Sequence, residues 1–317
     1  MSFPVFDLHC DTAWALLGKD LRSPMDLKKN KLHIDLDRAK TLPGYAQFFA
    51  CFSAPEMKQW YGISPEMVFQ LELDIILAAL ESHKRTMSQA FSVKDIQTNA
   101  EKGKMSAILS IEGPAGFDYD PELLEQLYAV GFRMTTLGWN EQNPLCGSHA
   151  TGSGLTEQGR AYFQEAQRLG MIVDVSHASD EAFFDMLEIA DKPIIASHSN
   201  SRAVCPSSRN LTDDMFKAIC EIGGVAGINL YTEFIGGQKD LDAVCRHVAR
   251  FLELDPTGSH IALGGDLDGC ESLVAGFDGV QSYPKLADCL KTLGLDDTIL
   301  RNIFWNNAIG VMEKCCM

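Results

Sequence analysis

The strongest constraint on the fold is a regular alternation between short apolar runs and longer amphipathic segments. The apolar runs are rich in β-branched and aromatic residues, and they lie at about 5–9, 46–52, 105–111, 132–138, 171–175, 193–197, 224–229 and 260–265. Strands that alternate with helices in this way form parallel βα units. Eight such units in a chain of 317 residues predict a closed (β/α)8 TIM barrel, for which about 250 residues are typical.

Capping residues mark the ends of several connecting helices. Ser64, Thr156 and Thr212 each precede an amphipathic segment, as N-cap residues do, and Gly170 follows one of these segments, as a C′ glycine does. No Gly-x-Gly-x-x-Gly motif or P-loop follows a strand, which argues against an open nucleotide-binding sheet. Because the chain has no internal repeat, we expect a single barrel domain over residues 1–317.

The composition argues against several classes of partner. Lys and Arg number 27 against 43 Asp and Glu, and this net charge of −16 disfavours binding to nucleic acid or to an anionic membrane. No stretch approaches the ~18 apolar residues of a membrane helix, and the start of the chain does not resemble a signal peptide. The ten cysteines form no Cys-x-x-Cys pair, so they are interpreted as reduced thiols. We therefore expect a cytoplasmic protein.

Six ionisable side chains stand where predicted strands end. They are His9 and Asp11 after the first strand, Glu112 after the third, His177 after the fifth, His198 after the sixth and Asp266 after the eighth. In a TIM barrel the carboxyl ends of the strands meet at the mouth that carries the active site. Burying three histidines and three carboxylates together without a cation would be costly, so the sequence predicts a metal site there.

The types of ligand restrict the metal and the number of ions. Imidazole and carboxylate without thiolate suit zinc, manganese or iron. Six groups are too many for one catalytic zinc that keeps an open position, and two metals bridged by a carboxylate suit them better. The expectation is two Zn²⁺ per chain, with Mn²⁺ or Fe²⁺ as alternatives. Such a pair, about 3.5–4 Å apart, lowers the pKa of a bridging water so that hydroxide exists at neutral pH.

Six segments, in their order along the chain, resemble the membrane dipeptidase (renal dipeptidase) family, zinc metallopeptidases of the amidohydrolase-like barrels. The segments are DLHCD at 7–11, IEG at 111–113, DVSHAS at 174–179, SHSN at 197–200, SRNLTDD at 208–214 and GDLDG at 265–269. Each segment is a weak signal alone, but the ordered set spans most of the chain. The resemblance implies a (β/α)8 barrel, a metal-dependent hydrolase and a homodimer.

The resemblance also implies a role for each residue of the predicted metal centre. The ligands would be His9 and Asp11 for one zinc, His177 and His198 for the other, and Glu112 as the bridge. Asp266 would accept a proton from the bridging water and return it to the leaving amine, as a general acid–base does. Asp268, two residues further on, is the alternative proton carrier.

The substrate pocket is expected to draw on residues beyond the metal ligands. Arg209 would bind the C-terminal carboxylate of a dipeptide through a bidentate fork, unless it is a solvated loop arginine; Tyr231 is a second candidate for this pocket. Trp139 stands where many relatives carry a histidine that contacts the scissile carbonyl. Because an indole cannot become a cation, oxyanion stabilisation would fall to the metal, to Asn140 or to His149.

The predicted function is a zinc-dependent dipeptidase that cleaves small dipeptides with a metal-bridging hydroxide, including dipeptides with a D-residue at the C-terminal position. Fold alone does not fix the bond that is cleaved. The alternatives are another binuclear-metal amidohydrolase, such as an N-acyl amino acid amidase, lactonase, deaminase or phosphoesterase, and a catalytically silent metal-binding relative.

Overall fold

Nine parallel strands form the sheet of the computed structural model, which describes residues 1–18, 21 and 23–316. They are β1 (Val5–Cys10), β2 (Tyr45–Phe52), β3 (Met87–Gln89), β4 (Met105–Glu112), β5 (Phe132–Thr136), β6 (Ile172–Asp174), β7 (Ile194–Ile195), β8 (Ala226–Ile228) and β9 (Ile261–Leu263). Eight of them match the predicted apolar runs. The additional strand, β3, pairs only with β4 and lies off the barrel path.

The other eight strands close into the predicted (β/α)8 barrel. Their spatial order is β7-β6-β5-β4-β2-β1-β9-β8, and every neighbouring pair is parallel. The circle is completed by a parallel bridge between Ala196 and Ala226, beside which the Gly227 N–H donates to the Ala196 carbonyl at 2.7 Å. The carboxyl ends of the strands therefore share one mouth.

Fourteen α-helices surround the barrel or connect its strands within the described ranges. They are α1 (Thr12–Leu17), α2 (Leu36–Ala39), α3 (Met57–Tyr61), α4 (Pro65–Ser82), α5 (Val93–Glu101), α6 (Leu124–Val130), α7 (Glu157–Leu169), α8 (Asp180–Glu188), α9 (Asp213–Glu221), α10 (Thr232–Ile235), α11 (Leu241–Leu254), α12 (Tyr283–Lys291), α13 (Asp297–Arg301) and α14 (Asn307–Cys315). Short 3₁₀ turns occur at Pro114–Phe117, Pro121–Leu123 and Val280–Ser282, and a π-helical turn occurs at Asn302–Asn306. None of the helices in these ranges has the length and apolar character needed to span a membrane.

The predicted capping residues occupy their expected positions. The side chains of Ser64, Thr156 and Thr212 each accept a hydrogen bond from a backbone N–H of the first turn, at 3.3, 3.0 and 3.2 Å, which satisfies one otherwise unpaired donor per helix. Gly170 ends α7 with a φ of 91°, a conformation that favours glycine. Local sequence therefore fixes where these three helices begin and where α7 ends.

A bulge in β1 sets the direction of the first metal-site residues. Between Asp7 and Cys10 the register against β2 shifts, so that three steps along β1 match two along β2. Strand alternation alone would place His9 on the face opposite to Phe6 and Leu8. With the bulge, His9 turns toward the mouth, while Leu8 still packs in the cluster that contains Phe6.

Glu72 is a buried carboxyl group on the inner face of α4. One oxygen, Oε2, accepts the Phe52 N–H at 2.5 Å, and the other has no hydrogen-bond partner among the residues described. Burial raises the pKa of Glu72 well above its ordinary value, and the nearby Asp11 and Glu112 carboxylates raise it further. Folding therefore favours the protonated form of this group relative to the unfolded chain.

Glu72→Gln is expected to raise the free energy of unfolding by about 1–3 kcal/mol at pH 8, and by less at pH 5. The unfolded chain ionises Glu72 near pH 4.5, so wild-type stability falls as pH rises from that value toward the higher folded-state pKa. Glutamine does not titrate and keeps an acceptor for Phe52. Urea unfolding at both pH values, on protein from which a chelator has removed metal, measures the effect. The control is Glu66→Gln, which changes an exposed residue of α4. An equal gain at both pH values would contradict the prediction.

Candidate active site

The six predicted residues of the metal centre lie together at the mouth of the barrel, and all are buried. Glu112 stands between the histidines: its Oε2 is 3.4 Å from His9 Nε2, and its Oε1 is 2.9 Å from His177 Nε2 and 3.9 Å from His198 Nε2. His9 Nε2 is also 3.1 Å from Asp11 Oδ2. A carboxylate that reaches three imidazoles at once has the position expected of a bridging ligand.

Two groups of side chains in the described part of the chain could each hold a metal ion at this mouth. One group is His9, Glu112 and His198, and the other is His9, Asp11 and Asp266, with the ligand atoms of each group within 4.8 Å of one another. The His9 and His198 rings stack with their centroids 3.9 Å apart. The two groups share His9, so the centre is compact.

Hydrogen bonds at the far side of each ring fix the tautomers of two histidines. His177 Nδ1 lies 2.8 Å from Asn140 Oδ1, and because an amide oxygen only accepts, Nδ1 carries the hydrogen. His198 Nδ1 lies 2.6 Å from Ser197 Oγ, whose hydroxyl donates to Asp174, so this Nδ1 also carries the hydrogen. Each Nε2 therefore presents a lone pair.

The facing lone pairs provide the test of whether this site fits a metal ion. His177 Nε2 and His198 Nε2 are 3.0 Å apart, and two neutral acceptors at that distance repel each other unless a cation or a proton lies between them. Burial lowers the pKa of both histidines well below the ordinary value, so the rings are neutral at pH 7. Neutral imidazoles beside a shared carboxylate form a donor set that fits a divalent transition metal.

The charge states on the other side of the centre are also unusual. Burial lowers the pKa of His9, but the adjacent Glu112 and Asp11 outweigh it and raise this pKa well above its ordinary value. Burial, with Asp11 nearby, raises the pKa of Glu112 to about 8. The metal-free centre therefore holds protons that divalent cations would replace as counter-charge.

The two aspartates after β9 have different surroundings. Asp266 belongs to the ligand cluster, and its Oδ2 accepts a hydrogen bond from Asn229 Nδ2 at 3.1 Å. Asp268 instead accepts the Thr12 hydroxyl at 2.6 Å and the His33 N–H at 2.5 Å. Both of its carboxylate oxygens thus hold neighbouring segments in place, whereas Asp266 lies among the potential metal ligands.

Three residues of this region adopt the left-handed backbone conformation that is uncommon outside glycine. They are His177 with a φ of 73°, Asp266 with 56° and Asp268 with 69°. Backbone strain of this kind clusters at functional sites, because the surrounding structure must hold the residue in place. Here the unusual backbone turns each side chain as its strand ends.

Arg209 is a buried cation without a full set of partners. It is 5% exposed, so it is not a solvated loop arginine. Its Nη1 donates to Ser199 Oγ at 3.3 Å, its guanidinium carbon lies 5.5 Å from the Phe234 ring centre, and its Nη2 has no acceptor in the described residues. A buried guanidinium with an unused donor suits an anionic group supplied by a ligand.

Trp139 forms a wall beside the metal centre. Its ring packs edge-on against Phe52 at 5.1 Å and Trp60 at 5.8 Å between centroids, and it lies 6.2 Å from the His177 ring. The indole is half-buried, and Trp60 is 44% exposed. The two tryptophans therefore border the entrance from solvent.

Asn140, His149 and Tyr231 make hydrogen bonds within the protein. Asn140 Oδ1 accepts from His149 Nε2 at 2.9 Å as well as from His177, and His149 Nδ1 accepts the Ser208 hydroxyl at 2.9 Å. Burial and nearby arginines lower the pKa of His149 to about 4, so the ring is neutral. The Tyr231 hydroxyl donates to Glu271 at 2.6 Å. The structure thus couples Asn140 and His149 to the orientation of His177.

Sequence reasoning missed the residues that support the predicted metal ligands through hydrogen bonds. Asp7 accepts from the His9 N–H at 2.9 Å, the Gly265 N–H at 2.8 Å and the Tyr283 hydroxyl. Asp174 accepts from the Ser197 N–H at 2.8 Å and from the Ser197 hydroxyl that supports His198. The available signal was the presence of aspartates inside otherwise apolar strands, where unpaired carboxylates are costly.

The barrel and this centre define a metal-dependent hydrolase. Residues 1–316 match the membrane dipeptidase family (peptidase family M19), and the chain belongs to this family of dipeptidases. It is 33% identical over 253 residues to an uncharacterised protein encoded in the pqqA 5′ region of Klebsiella pneumoniae, covering 75% of this chain and 93% of that protein. It is 30% identical over 249 residues to an uncharacterised dipeptidase of Schizosaccharomyces pombe, covering 76% of this chain but 61% of that longer relative.

Solved structures of metallopeptidases share the fold. The chain superposes on dipeptidase AC, a metallopeptidase of family M19, with a TM-score of 0.88 at 25% identity, covering 99% of both chains. It superposes on a metallopeptidase from Rhodobacter sphaeroides with a TM-score of 0.87 at 24% identity, covering 99% of this chain and 100% of that one. That structure carries a phosphinate mimic of the dipeptide L-Ala-D-Ala.

Proposed function

We propose that this enzyme is a binuclear zinc dipeptidase that hydrolyses small dipeptides with a free C-terminal carboxylate. The observation that carries the proposal is the buried Arg209, which keeps one guanidinium nitrogen unpaired next to the cluster of histidines and carboxylates. A dipeptide supplies both groups that such a pocket can use: a carboxylate for the guanidinium and a peptide bond for the metal centre. The cytoplasmic location, the single domain and the homodimer stay predictions from the sequence.

The proposed ligands are this chain's histidines and carboxylates at the mouth. His9 and Asp11 would hold one ion, His177 and His198 the other, and Glu112 would contact both, with Mn²⁺ or Fe²⁺ as alternatives to Zn²⁺. When bound, such ions supply Lewis acidity, which activates water and polarises the scissile carbonyl. The Asn140 carbonyl holds the His177 ring with Nε2 directed at Glu112.

Proton movement in the proposed reaction belongs to Asp266. Its carboxylate is buried, and the Asn229 amide holds one oxygen, so the other is free to accept a proton from the attacking water. Burial raises the pKa of Asp266, which makes it a better base than an exposed aspartate. The same group would then deliver the proton to the leaving amine, returning to its starting state.

Substrate positioning in the proposal rests on Arg209, with Trp139 as a side wall. The guanidinium would hold the terminal carboxylate and so fix the distance from the C-terminus to the scissile bond, which selects the peptide bond of the C-terminal residue. The dipeptide mimic bound to the Rhodobacter sphaeroides metallopeptidase supports including L-X-D-Y substrates among the candidates. Tyr231, held by Glu271, would border the same pocket.

Removal of metal is expected to abolish hydrolysis of dipeptides, and zinc is expected to restore it once the two catalytic positions are filled. The reason is that neutral His177 and His198, together with Glu112, need a cation to complete the site. Matched L-X-L-Y and L-X-D-Y panels, assayed by amine release before and after chelation, measure both the requirement and the stereochemistry. Absence of turnover on every member with zinc restored would refute the proposed function.

A further inference from the structure

A second group of potential metal ligands lies at the opposite end of the barrel from the active site. Cys220 belongs to the last turn of α9, Asp255 directly follows α11, and His260 directly precedes β9. The amino ends of the strands define this face, where the His260 carbonyl accepts the Ala226 N–H at 2.8 Å as β8 begins. The cluster is therefore distinct from the catalytic mouth.

The geometry of this cluster suits one metal ion. One ligand atom from each of Cys220, Asp255 and His260 lies within 4.8 Å of the other two, and His260 Nδ1 is 3.0 Å from Asp255 Oδ2. In a tetrahedral zinc site with bonds of about 2.0–2.3 Å, neighbouring ligand atoms are roughly 3.3–3.8 Å apart. A mutual distance within 4.8 Å is close to that spacing, and the partial exposure of Cys220 and His260 leaves access for the ion and for a water molecule.

The backbone around the cluster is already held in place. Asp255 Oδ1 accepts the Thr257 hydroxyl at 2.5 Å, and its Oδ2 accepts the His260 N–H at 3.1 Å. Asn307 Nδ2 donates to the carbonyls of Gly258 and Ile261, at 2.7 Å each, and so fastens this loop to α14. Two of the three ligands therefore sit on a rigid loop, which lowers the entropic cost of binding an ion.

Metal binding would change the protonation state of this cluster. Burial, with Asp255 nearby, raises the pKa of the Cys220 thiol to about 12, so the thiol is protonated while no metal is present. The thiol makes no hydrogen bond to another side chain within the described part of the chain. Binding of a divalent ion would form the metal–sulfur bond and release one proton, leaving a thiolate and a carboxylate to balance the charge.

We propose that Cys220, Asp255 and His260 form a second, non-catalytic metal site that binds Zn²⁺ with water as the fourth ligand. Thiolate, imidazole and carboxylate together select a borderline ion over Mg²⁺ or Ca²⁺. The bound ion would join α9, α11 and β9 at the face of the barrel where stability is usually determined. The competing interpretation is an ordinary turn, in which Asp255 only hydrogen-bonds Thr257 and His260 and Cys220 binds nothing.

Cobalt distinguishes this site from the catalytic centre because the proposed catalytic ligands include no thiolate. In chelated full-length protein titrated with Co²⁺, we expect a near-ultraviolet thiolate-to-cobalt charge-transfer band that is absent from Cys220→Ser. Cys270→Ser is the matched control, since the Cys270 thiol lies near the catalytic side, where it donates to the Asp266 carbonyl at 3.5 Å. This variant should keep the band. A band that survives Cys220→Ser, or no band in the wild type, would overturn the proposal.

Zinc analysis of the same variants gives a second, independent measurement. After zinc loading and removal of free metal, Cys220→Ser and His260→Ala should each hold about one equivalent less zinc than the wild type while hydrolysing dipeptides at the wild-type rate. Zinc should also raise the melting temperature of the wild type more than that of Cys220→Ser. Equal zinc content in all three proteins would refute the site, and this outcome does not depend on which substrate the catalytic centre accepts.

Discussion

Asp266→Asn is expected to lower kcat by about 10³-fold while the metal content stays unchanged. General acid–base catalysis by a positioned side chain contributes about 10²–10⁴-fold, and asparagine has nearly the same shape but cannot take up and return a proton. The Asn229 amide, 3.1 Å from Asp266 Oδ2, would still find an oxygen to donate to, so the fold of this loop should survive. Steady-state kinetics combined with zinc analysis measure the two quantities in one preparation.

Asp268→Asn is the matched control for that experiment. Asp268 holds Thr12 and the His33 backbone, far along the chain from the β9 loop, and its loss should cost stability rather than chemistry. We expect a loss of about 1–3 kcal/mol in the free energy of unfolding with kcat per folded molecule nearly unchanged. If Asp266→Asn lost metal together with activity, Asp266 would be a ligand and not the proton carrier; if Asp268→Asn showed the larger loss of kcat, the two roles would be reversed.

The features that depend on local sequence were predictable. Apolar runs of strand length located the eight barrel strands. Ser64, Thr156 and Thr212 each cap a helix, because a side-chain oxygen accepts the free N–H three residues later whatever the rest of the chain does. The position of each polar group at a strand end then followed from the closed barrel. Tertiary context entered these predictions only through the rule that parallel strands end at one rim.

The direction of individual side chains was not predictable in the same way. Strand alternation suggested that His9 and Asp11 share a face, but the actual orientation depends on a bulge against β2, a strand about 40 residues later in the sequence. The same alternation allowed both Asp266 and Asp268 to face the mouth, whereas Asp268 contacts Thr12 and His33 instead. Both outcomes depend on long-range contacts that no short sequence pattern encodes.

The pocket residues show a related difficulty. Asn140 and His149 were predicted, beside the metal, as alternatives for stabilising the oxyanion, and the structure adds that His149 donates to Asn140 and that Asn140 accepts from His177. Residue type identified them as polar groups near the site, but only geometry shows that they orient the His177 ring. Burial likewise changes the interpretation of Arg209, because the sequence alone allows a solvated loop arginine, whereas the structure buries this side chain.

Arg209→Lys is expected to lower kcat/KM for dipeptides by about 10²-fold. This is the loss expected when a single contact replaces a charge-assisted, bidentate hydrogen bond to a buried carboxylate. The loss should be specific to the terminal carboxylate. The corresponding dipeptide amides bring no anion to the guanidinium, so the variant and the wild type should hydrolyse them at similar, low rates. Parallel kinetics on each acid and amide pair measure the difference directly.

Arg168→Lys provides the matched control because it changes an exposed arginine that lies outside the Arg209 loop. Arg168 pairs with Glu165 at 2.7 Å on the surface of α7, and an exposed ion pair contributes only about 0–1 kcal/mol, so neither substrate should respond. An equal loss on acids and amides in Arg209→Lys would show that Arg209 supports the metal centre through Ser199 and His198 rather than the substrate. The discrimination between acid and amide therefore tests the substrate assignment separately from the metal chemistry, which both substrates share.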